Sequence, residues 1–397
     1  MHTKICIVDY DLVCAAGGGL PAVRAALAQQ QTGLKPNDFP ECALDTYIGR
    51  VTALDGYVWP EVDKDWESRN NALVEVALQQ GSLLASLARI RDKVGSARIG
   101  LVMGSSTSSI DRAEAAYRMQ RDEGAVSDEY LRLKVLNPHA PAFYAARRTG
   151  ITGPSVTLST ACSSSAKVFA TAARWLNTGV VDAVLVGGAD SLCLTVLYGF
   201  HSLQLVANKL CSPFDQFRDG INLGEGAGFA LLTREDLAPE GTEIVLSGYG
   251  ESSDAHHMSH PHPEGEGARL AMQQALAMAK LQPEQIDYVN LHGTSSRVND
   301  LVEGNLMAQV FPTSTPMSST KGWTGHTLGA AGIVEAIIAM DTFRTGLLPG
   351  NLHCKNADPE IALQLSEANR TASPRHVMSN SFGFGGNNAS LIFSRAH

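Results

Sequence analysis

Along the chain, short apolar runs alternate with longer stretches whose apolar positions recur every three to four residues. The runs at residues 98–103, 155–159, 183–187, 228–233, 244–248, 288–291 and 389–394 read as strands buried on both faces. Helical spacing covers residues 70–91, 163–177, 267–280 and 329–344. Two of these helices are almost uncharged, with Lys167 alone in 163–173 and Glu335 alone in 329–339. A helix without a polar face belongs in the interior. Strands alternating with helices predict parallel, doubly covered sheets and hence an α/β fold. The opening run, Ile5 to Val8, is interrupted by Asp9 and Asp11 before it reaches the length of a signal-peptide core, and reads as a first buried strand.

The pattern repeats itself faintly. Gly226-Ala-Gly-Phe-Ala-Leu-Leu-Thr-Arg234 matches Gly386-Asn-Asn-Ala-Ser-Leu-Ile-Phe-Ser-Arg395 in its glycine approach, apolar strand and basic stop. A weaker pairing joins residues 99–106 to residues 286–294. Two related halves, 1–240 and 241–397, would explain both.

Composition narrows the function. With 397 residues, 44% hydrophobic and 18% charged, the chain can bury a large core and is not disordered. A net charge of −9 opposes non-specific binding to nucleic acid or a membrane surface, which needs a clustered positive field. No stretch approaches the roughly 18 uninterrupted apolar residues of a membrane span, so a soluble, cytoplasmic protein is expected. The seven cysteines are scattered and form no C-x-x-C pair, so free thiols and no zinc or redox dithiol are expected.

Four segments combine reactive side chains with glycine or small residues. Thr160-Ala-Cys-Ser-Ser-Ser-Ala166 follows a strand and opens the first uncharged helix, which places Cys162 at a helix N-terminus, where a thiolate is favoured and small neighbours leave room for a substrate. Taken alone, a buried structural cysteine is as good a reading. His292 ends the strand Tyr288-Val-Asn-Leu-His and precedes an abrupt Gly-Thr turn, at the carboxyl edge of the sheet where α/β proteins place ligands. His326 lies in Lys321-Gly-Trp-Thr-Gly-His-Thr-Leu-Gly-Ala-Ala-Gly332, which runs into the second uncharged helix. The segment is not a phosphate loop, because the G-x-x-x-x-G-K-[ST] order is absent. An isolated Glu335 on such a helix needs a partner, and Lys321 is the expected one. Asn380-Ser-Phe-Gly-Phe-Gly-Gly-Asn-Asn388 sets Phe382 and Phe384 in a glycine-rich loop, suited either to a mobile aromatic flap or to a tight turn before the last strand. The loop 252–267, rich in His, Pro, Glu and Gly, is expected at the surface near the site.

In this order the four motifs resemble the β-ketoacyl-[acyl carrier protein] synthase I/II family of condensing enzymes, and the resemblance extends to Ser212-Pro-Phe-Asp215, Gly224-Glu-Gly-Ala-Gly228 and Ser252-Ser-Asp254. It implies a thiolase-like, five-layered αβαβα sandwich of two duplicated halves. It implies that Cys162 accepts an acyl group, and that His292 and His326 hold the malonyl thioester carbonyl as decarboxylation generates an enolate. The backbone N–H groups of Cys162 and Phe384 would form the oxyanion hole. Lys321 with Glu335, Asp300 with Glu303, and Asp254 would support the site, with Phe384, Phe382 and Phe200 as gate residues and Thr107 in the acyl pocket. No metal or organic cofactor is implied, because phosphopantetheine arrives on the acyl carrier protein. The expected partners are that carrier protein and a second synthase chain, either a copy or a related chain-length subunit.

Within the superfamily, a thiolase would need a second cysteine in Gly383-Phe-Gly-Gly386, and a ketoacyl synthase III a Cys-His-Asn set; neither fits. The presence of Cys162 favours an active synthase over a non-catalytic chain-length factor, and the second histidine disfavours a cysteine hydrolase. Three departures from the family pattern leave type II polyketide or aryl-polyene synthesis open beside fatty acid synthesis: Ser296-Arg-Val-Asn-Asp300 after the His-Gly-Thr-Ser motif, Asp9-Tyr-Asp11 in the first strand, and the small polar stretch Gly104-Ser-Ser-Thr-Ser-Ser109. Basic residues suited to docking an acidic carrier are not obvious around Asp65-Trp-Glu-Ser-Arg69.

Overall fold

The computed structural model describes residues 4–128, 130, 133–363 and 365–396. The apolar runs become strands of one eleven-stranded sheet. Its first half contains β1 (Ile5–Cys14), β2 (Ile99–Gly104), β3 (Ser155–Leu158), β4 (Ala183–Asp190) and β5 (Gly226–Arg234). The second contains β6 (Ile244–Ser253), β7 (Tyr288–Asn290), β8 (Met317–Ser318), β9 (His376–Gly383) and β10 (Asn387–Arg395). The order along the sheet is β8-β7-β9-β10-β6-β1-β5-β4-β2-β3, with the two-residue strand Gly17–Gly18 beside β1. Counted within each half, both read third-second-fourth-fifth-first. Directions match as well: β2 is parallel to β3 and β4, β7 is parallel to β8 and β9, and the fourth, fifth and first strands of each half pair antiparallel. The chain is a duplicated αβαβα sandwich, and its halves join through the antiparallel pairs Ile5↔Leu246, Cys6↔Val245 and Ile7↔Ile244.

Helices α1 (Arg69–Leu78), α2 (Leu83–Val94) and α3 (Ala140–Thr149) cover one outer face, where Leu73, Leu87 and Tyr144 pack with Leu101, Leu185 and Phe229. Between the halves lie α4 (Ser164–Asn177) and, later in the chain, the helix Ala331–Thr345; Phe169 and Ile337 there pack with Val102, Val186 and Phe393. On the other outer face, α5 (Glu266–Ala279) and α6 (Arg297–Val310) place Met272 and Met307 against Val289, Met378 and Ile392. The helix Ala331–Thr345, here α7, is buried at every position from Ala331 to Phe343, as its lack of a polar face requires.

Three local readings are corrected by the structure. The helical stretch 70–91 is two helices, because Gly81 adopts φ +55 between them and a Cβ there would meet Asp11. The first strand does not stop at Val8 but runs through both aspartates to Cys14. Asp9 is stabilised by the hydroxyls of Ser82 (2.7 Å) and Ser86 (2.6 Å), and Asp11 by the N–H groups of Leu12 and Leu20 (each 2.8 Å). Hydrogen-bonded carboxylates tolerate burial that unpaired ones do not. Residues 380–383, read as loop, complete β9, and only Phe384–Gly386 forms the turn.

Candidate active site

Cys162 lies in the turn between β3 and α4, following Ala161, whose φ of 51 puts a non-glycine residue in the left-handed region. His326 occupies the corresponding turn between β8 and α7. The two helices approach closely because Gly332 faces Ala166: a Cβ at 332 would stand 2.4 Å from the Ala166 nitrogen. Ser165 Oγ also accepts from the N–H of Ile333 at 2.9 Å. The result is a distance of 3.0 Å between His326 Nε2 and Cys162 Sγ.

His292 follows β7, and its ring meets that of His326 at 85° with centroids 5.5 Å apart. Lys321 Nζ lies 3.4 Å from His292 Nδ1, and it donates to the His292 carbonyl and to Glu335. An ammonium only donates, so His292 Nδ1 acts as acceptor and Nε2 carries the ring proton. The predicted Lys321–Glu335 pair is therefore present, with both side chains buried. Behind the same turn, the Glu303 carboxylate accepts from the N–H groups of His292 (2.8 Å) and Gly293 (2.7 Å). Asp300 accepts from Phe214 N at 2.8 Å and Ser295 N at 3.2 Å. Asp254 accepts from Asn388 Nδ2 at 2.6 Å and from His262 N at 2.9 Å, and its own N–H donates to Gly386 O at 2.9 Å, tying down the loop that carries Phe384.

Burial dominates the electrostatics. It pushes the Cys162 thiol up to about 11, against the Phe384 N–H and the Lys321 charge, which pull it down. Cys162 at rest is therefore a thiol, whereas its position near a helix start suggests a thiolate; desolvation outweighs that influence. Burial first, then the charge of Lys321, holds both His292 and His326 well below the usual 6.5, so both are neutral at pH 7. Burial raises Glu303 and Glu335 to about 7, in Glu335 despite Lys321.

A cavity of ≈ 360 Å³ opens onto Cys162, His292 and His326, with Phe200, Phe382 and Phe384 in its wall. The rings of Phe200 and Phe384 stack at 5.6 Å. Asp254 also reaches this cavity, whereas Lys321, Glu335, Asp300 and Glu303 stand behind it. Thr107 is not among its lining residues. Its hydroxyl donates instead to Asp190 at 2.8 Å. Asp190 also takes the hydroxyls of Ser105 and Ser106 and the Gly329 N–H, each at 2.6 Å. Residues 105–107 of the polar stretch are thus spent on a buried carboxylate that also holds Gly329, just ahead of α7. Asp190 went unread in the sequence because it ends an apolar strand and has no distinctive neighbours. Arg69 is likewise turned inward, its Nε 2.7 Å from Glu225.

Two sequence-family models match the chain: the β-ketoacyl synthase N-terminal domain over residues 73–238 and the C-terminal domain over 244–355. The 3-oxoacyl-[acyl-carrier-protein] synthase 2 of Vibrio cholerae is 34% identical over 317 residues, 75% of this chain and 76% of that protein. The chain belongs to the β-ketoacyl synthase family. That family consists of acyltransferase-type condensing enzymes. The mitochondrial 3-oxoacyl-[acyl-carrier-protein] synthase of Arabidopsis thaliana is 40% identical over 263 residues, 62% of this chain and 57% of that protein's length. A solved structure of a ketosynthase in complex with its chain length factor, from Xenorhabdus doucetiae, is 36% identical, covers 99% of this chain and 98% of its own, and gives a TM-score of 0.89. In this β-ketoacyl synthase no helix among the described residues is long and apolar enough to cross a membrane.

Proposed function

We propose that this β-ketoacyl synthase joins malonyl units to an acyl group held on Cys162, with an acyl carrier protein delivering both substrates. The observation that carries the reading is the 3.0 Å contact between Cys162 Sγ and neutral His326 Nε2, with His292 on the same cavity. As sulfur attacks the acyl thioester, His326 takes the thiol proton and passes it to the departing carrier sulfur, so the carrier leaves as its thiol and His326 is neutral again. The oxyanion is met by the N–H groups of Cys162 and Phe384, each donor contributing about 3 kcal/mol. The malonyl thioester carbonyl then sits between the two imidazoles. Loss of carbon dioxide leaves an enolate whose oxygen is stabilised by the Nε2–H of His292 and whose carbon attacks the acyl-Cys162 carbonyl, releasing the thiolate. Neutral imidazoles suit this role, because a donor that keeps its proton stabilises the enolate without quenching it. No metal or organic cofactor enters the scheme.

Chain elongation in a fatty acid or type II polyketide pathway, the latter of aryl-polyene type, fits the chemistry. Likeness to a chain of a ketosynthase–chain length factor complex supports a related partner chain, with a second copy of this chain as the alternative. Intact-protein mass spectrometry after incubation with a panel of acyl carrier protein thioesters, then with malonyl carrier protein, tests the reading. The expected result is a mass gain abolished in Cys162→Ala, followed by a two-carbon-longer product on the carrier. A chain that takes up no acyl group, alone or with a chain-length subunit, sinks it.

A further inference from the structure

Asp190 ends β4, is fully buried and takes no part in the chemistry above, yet donors converge on its carboxylate from two distant parts of the chain. The hydroxyls of Ser105 and Ser106 (each 2.6 Å) and Thr107 (2.8 Å), with the N–H groups of Ser106 (2.9 Å) and Thr107 (3.0 Å), come from the turn just after β2. The remaining donor is the Gly329 N–H, just ahead of α7, at 2.6 Å. The approach is tight, since a Cβ at 329 would stand 2.6 Å from both Asp190 Oδ2 and the Ser106 nitrogen.

Three residues before Gly329 stands His326. Between them Leu328 has a φ of 58, a left-handed conformation that a non-glycine residue holds only where its surroundings impose it. One end of this segment is fixed at His326 itself, whose N–H donates to Asn222 O at 2.8 Å and whose carbonyl accepts from Gly224 N at 3.0 Å. Asp190 fixes the other end. The His326 ring has little hold of its own: beyond the contact with Cys162, its Nδ1 is buried without a hydrogen-bond partner among the described residues. The direction of Nε2 is therefore set by the backbone on either side. The same anchor bears on α7, whose first turn meets α4 through Gly332 and Ser165.

We propose that Asp190 is a positioning residue for the reaction at Cys162: by clamping Gly329 to the turn after β2, it holds His326 Nε2 at the sulfur. The inference rests on the functional reading above, in which His326 takes the thiol proton. Asp190 does not line the cavity, so it acts through His326 and leaves substrate entry alone.

The test is the rate of Cys162 acylation by acyl carrier protein thioesters, followed by intact mass, in Asp190→Asn. The amide keeps the carboxylate's shape but turns one acceptor into a donor that faces other donors. The rate at saturation should fall about 10²-fold, the loss that a misplacement of about 1 Å brings, with the half-saturating carrier concentration unchanged. Gly329→Ala, which crowds the same contact and leaves Asp190 intact, should show the same split. Thr107→Val removes a donor to Oδ1, whereas Gly329 binds Oδ2, and should leave the acylation rate unchanged. A crystal structure of either Asp190→Asn or Gly329→Ala reads the geometry without any activity, and His326 Nε2 should have left hydrogen-bonding reach of Cys162 Sγ. An intact contact there, a wild-type rate at saturation in both variants, or an equal loss in Thr107→Val would overturn the positioning role. A wild-type chain that takes up no acyl group would overturn the functional reading instead, and the crystal structure would still decide what Asp190 holds.

Discussion

The two halves of the sandwich share strand order and direction, yet their corresponding strand ends do different work. After the third strand, the first half presents Cys162 and the second His326. After the second strand, the first half has the serine-rich stretch 104–109, whose residues 105–107 donate to Asp190, whereas the second has His292, held by Glu303 and Lys321. At the fourth, Asp190 faces inward in one half and Phe384 faces the cavity in the other. Duplication supplied two equivalent sets of turns. One set carries a single reactive atom and spends the rest on stability; the other carries, in the proposed reaction, the base His326 and the hydrogen-bond donor His292. The proposed reaction draws on both, since Cys162, His292 and His326 open onto one cavity.

The largest expected effect is on the single reactive atom of the first half. Cys162→Ala should lower acyl transfer by about 10⁴-fold or more, read as loss of the acyl adduct by mass, as deletion of a covalent nucleophile does elsewhere. Lys321→Met in the second half should cost about 3–5 kcal/mol of stability by leaving Glu335 buried and unpaired, whereas Lys321→Met with Glu335→Leu should recover most of it in denaturant titrations. Equal losses in both variants would mean that the pair matters only through its contact with His292. His292→Ala should slow malonyl decarboxylation about 10²–10³-fold while leaving acylation of Cys162 nearly intact; loss of both steps together would erase the division of labour between the halves. The alkylation rate of Cys162 should climb steadily between pH 6 and 9, because burial holds the thiol near 11. A plateau below pH 8 would restore the thiolate read from the helix start. Smallest is Thr107→Val, which removes one of several donors to Asp190 and should cost about 1 kcal/mol with the chain-length preference unchanged. A shifted preference would return Thr107 to the acyl pocket.

What could be read in advance was whatever a short segment determines. Cys162, His292, His326 and Phe384 sit in local patterns of strand, small residue and turn, so their segments announced them. The Lys321–Glu335 pair was legible for another reason: a single charge on an otherwise apolar helix must find a partner. Asp190 had no such signature, because its partners come from residues 105–107 and 329. The protonation of Cys162 was equally hidden, since desolvation is set by the whole packed environment and not by the three residues beside the sulfur. The two-residue strand Met317–Ser318 is too short for any periodicity, and it is defined by its register with Val289 and Asn290.

The pairing of β1 with β6 has a consequence for how the protein is made. During synthesis, residues 1–240 can assemble their sheet before the second half has left the ribosome, but the hydrogen-bonding edge of β1 then lies bare until residues 244–246 arrive. Cys162 meanwhile has neither the base nor the backbone donor that the proposed reaction assigns it, which come from residues 326 and 384. On the proposed function, a nascent or truncated chain is thus chemically silent toward thioesters while sticky along one edge. Its hazard before completion is association with other chains and not premature reaction, and the half that covers the edge is also the half that brings residues 326 and 384 to the sulfur.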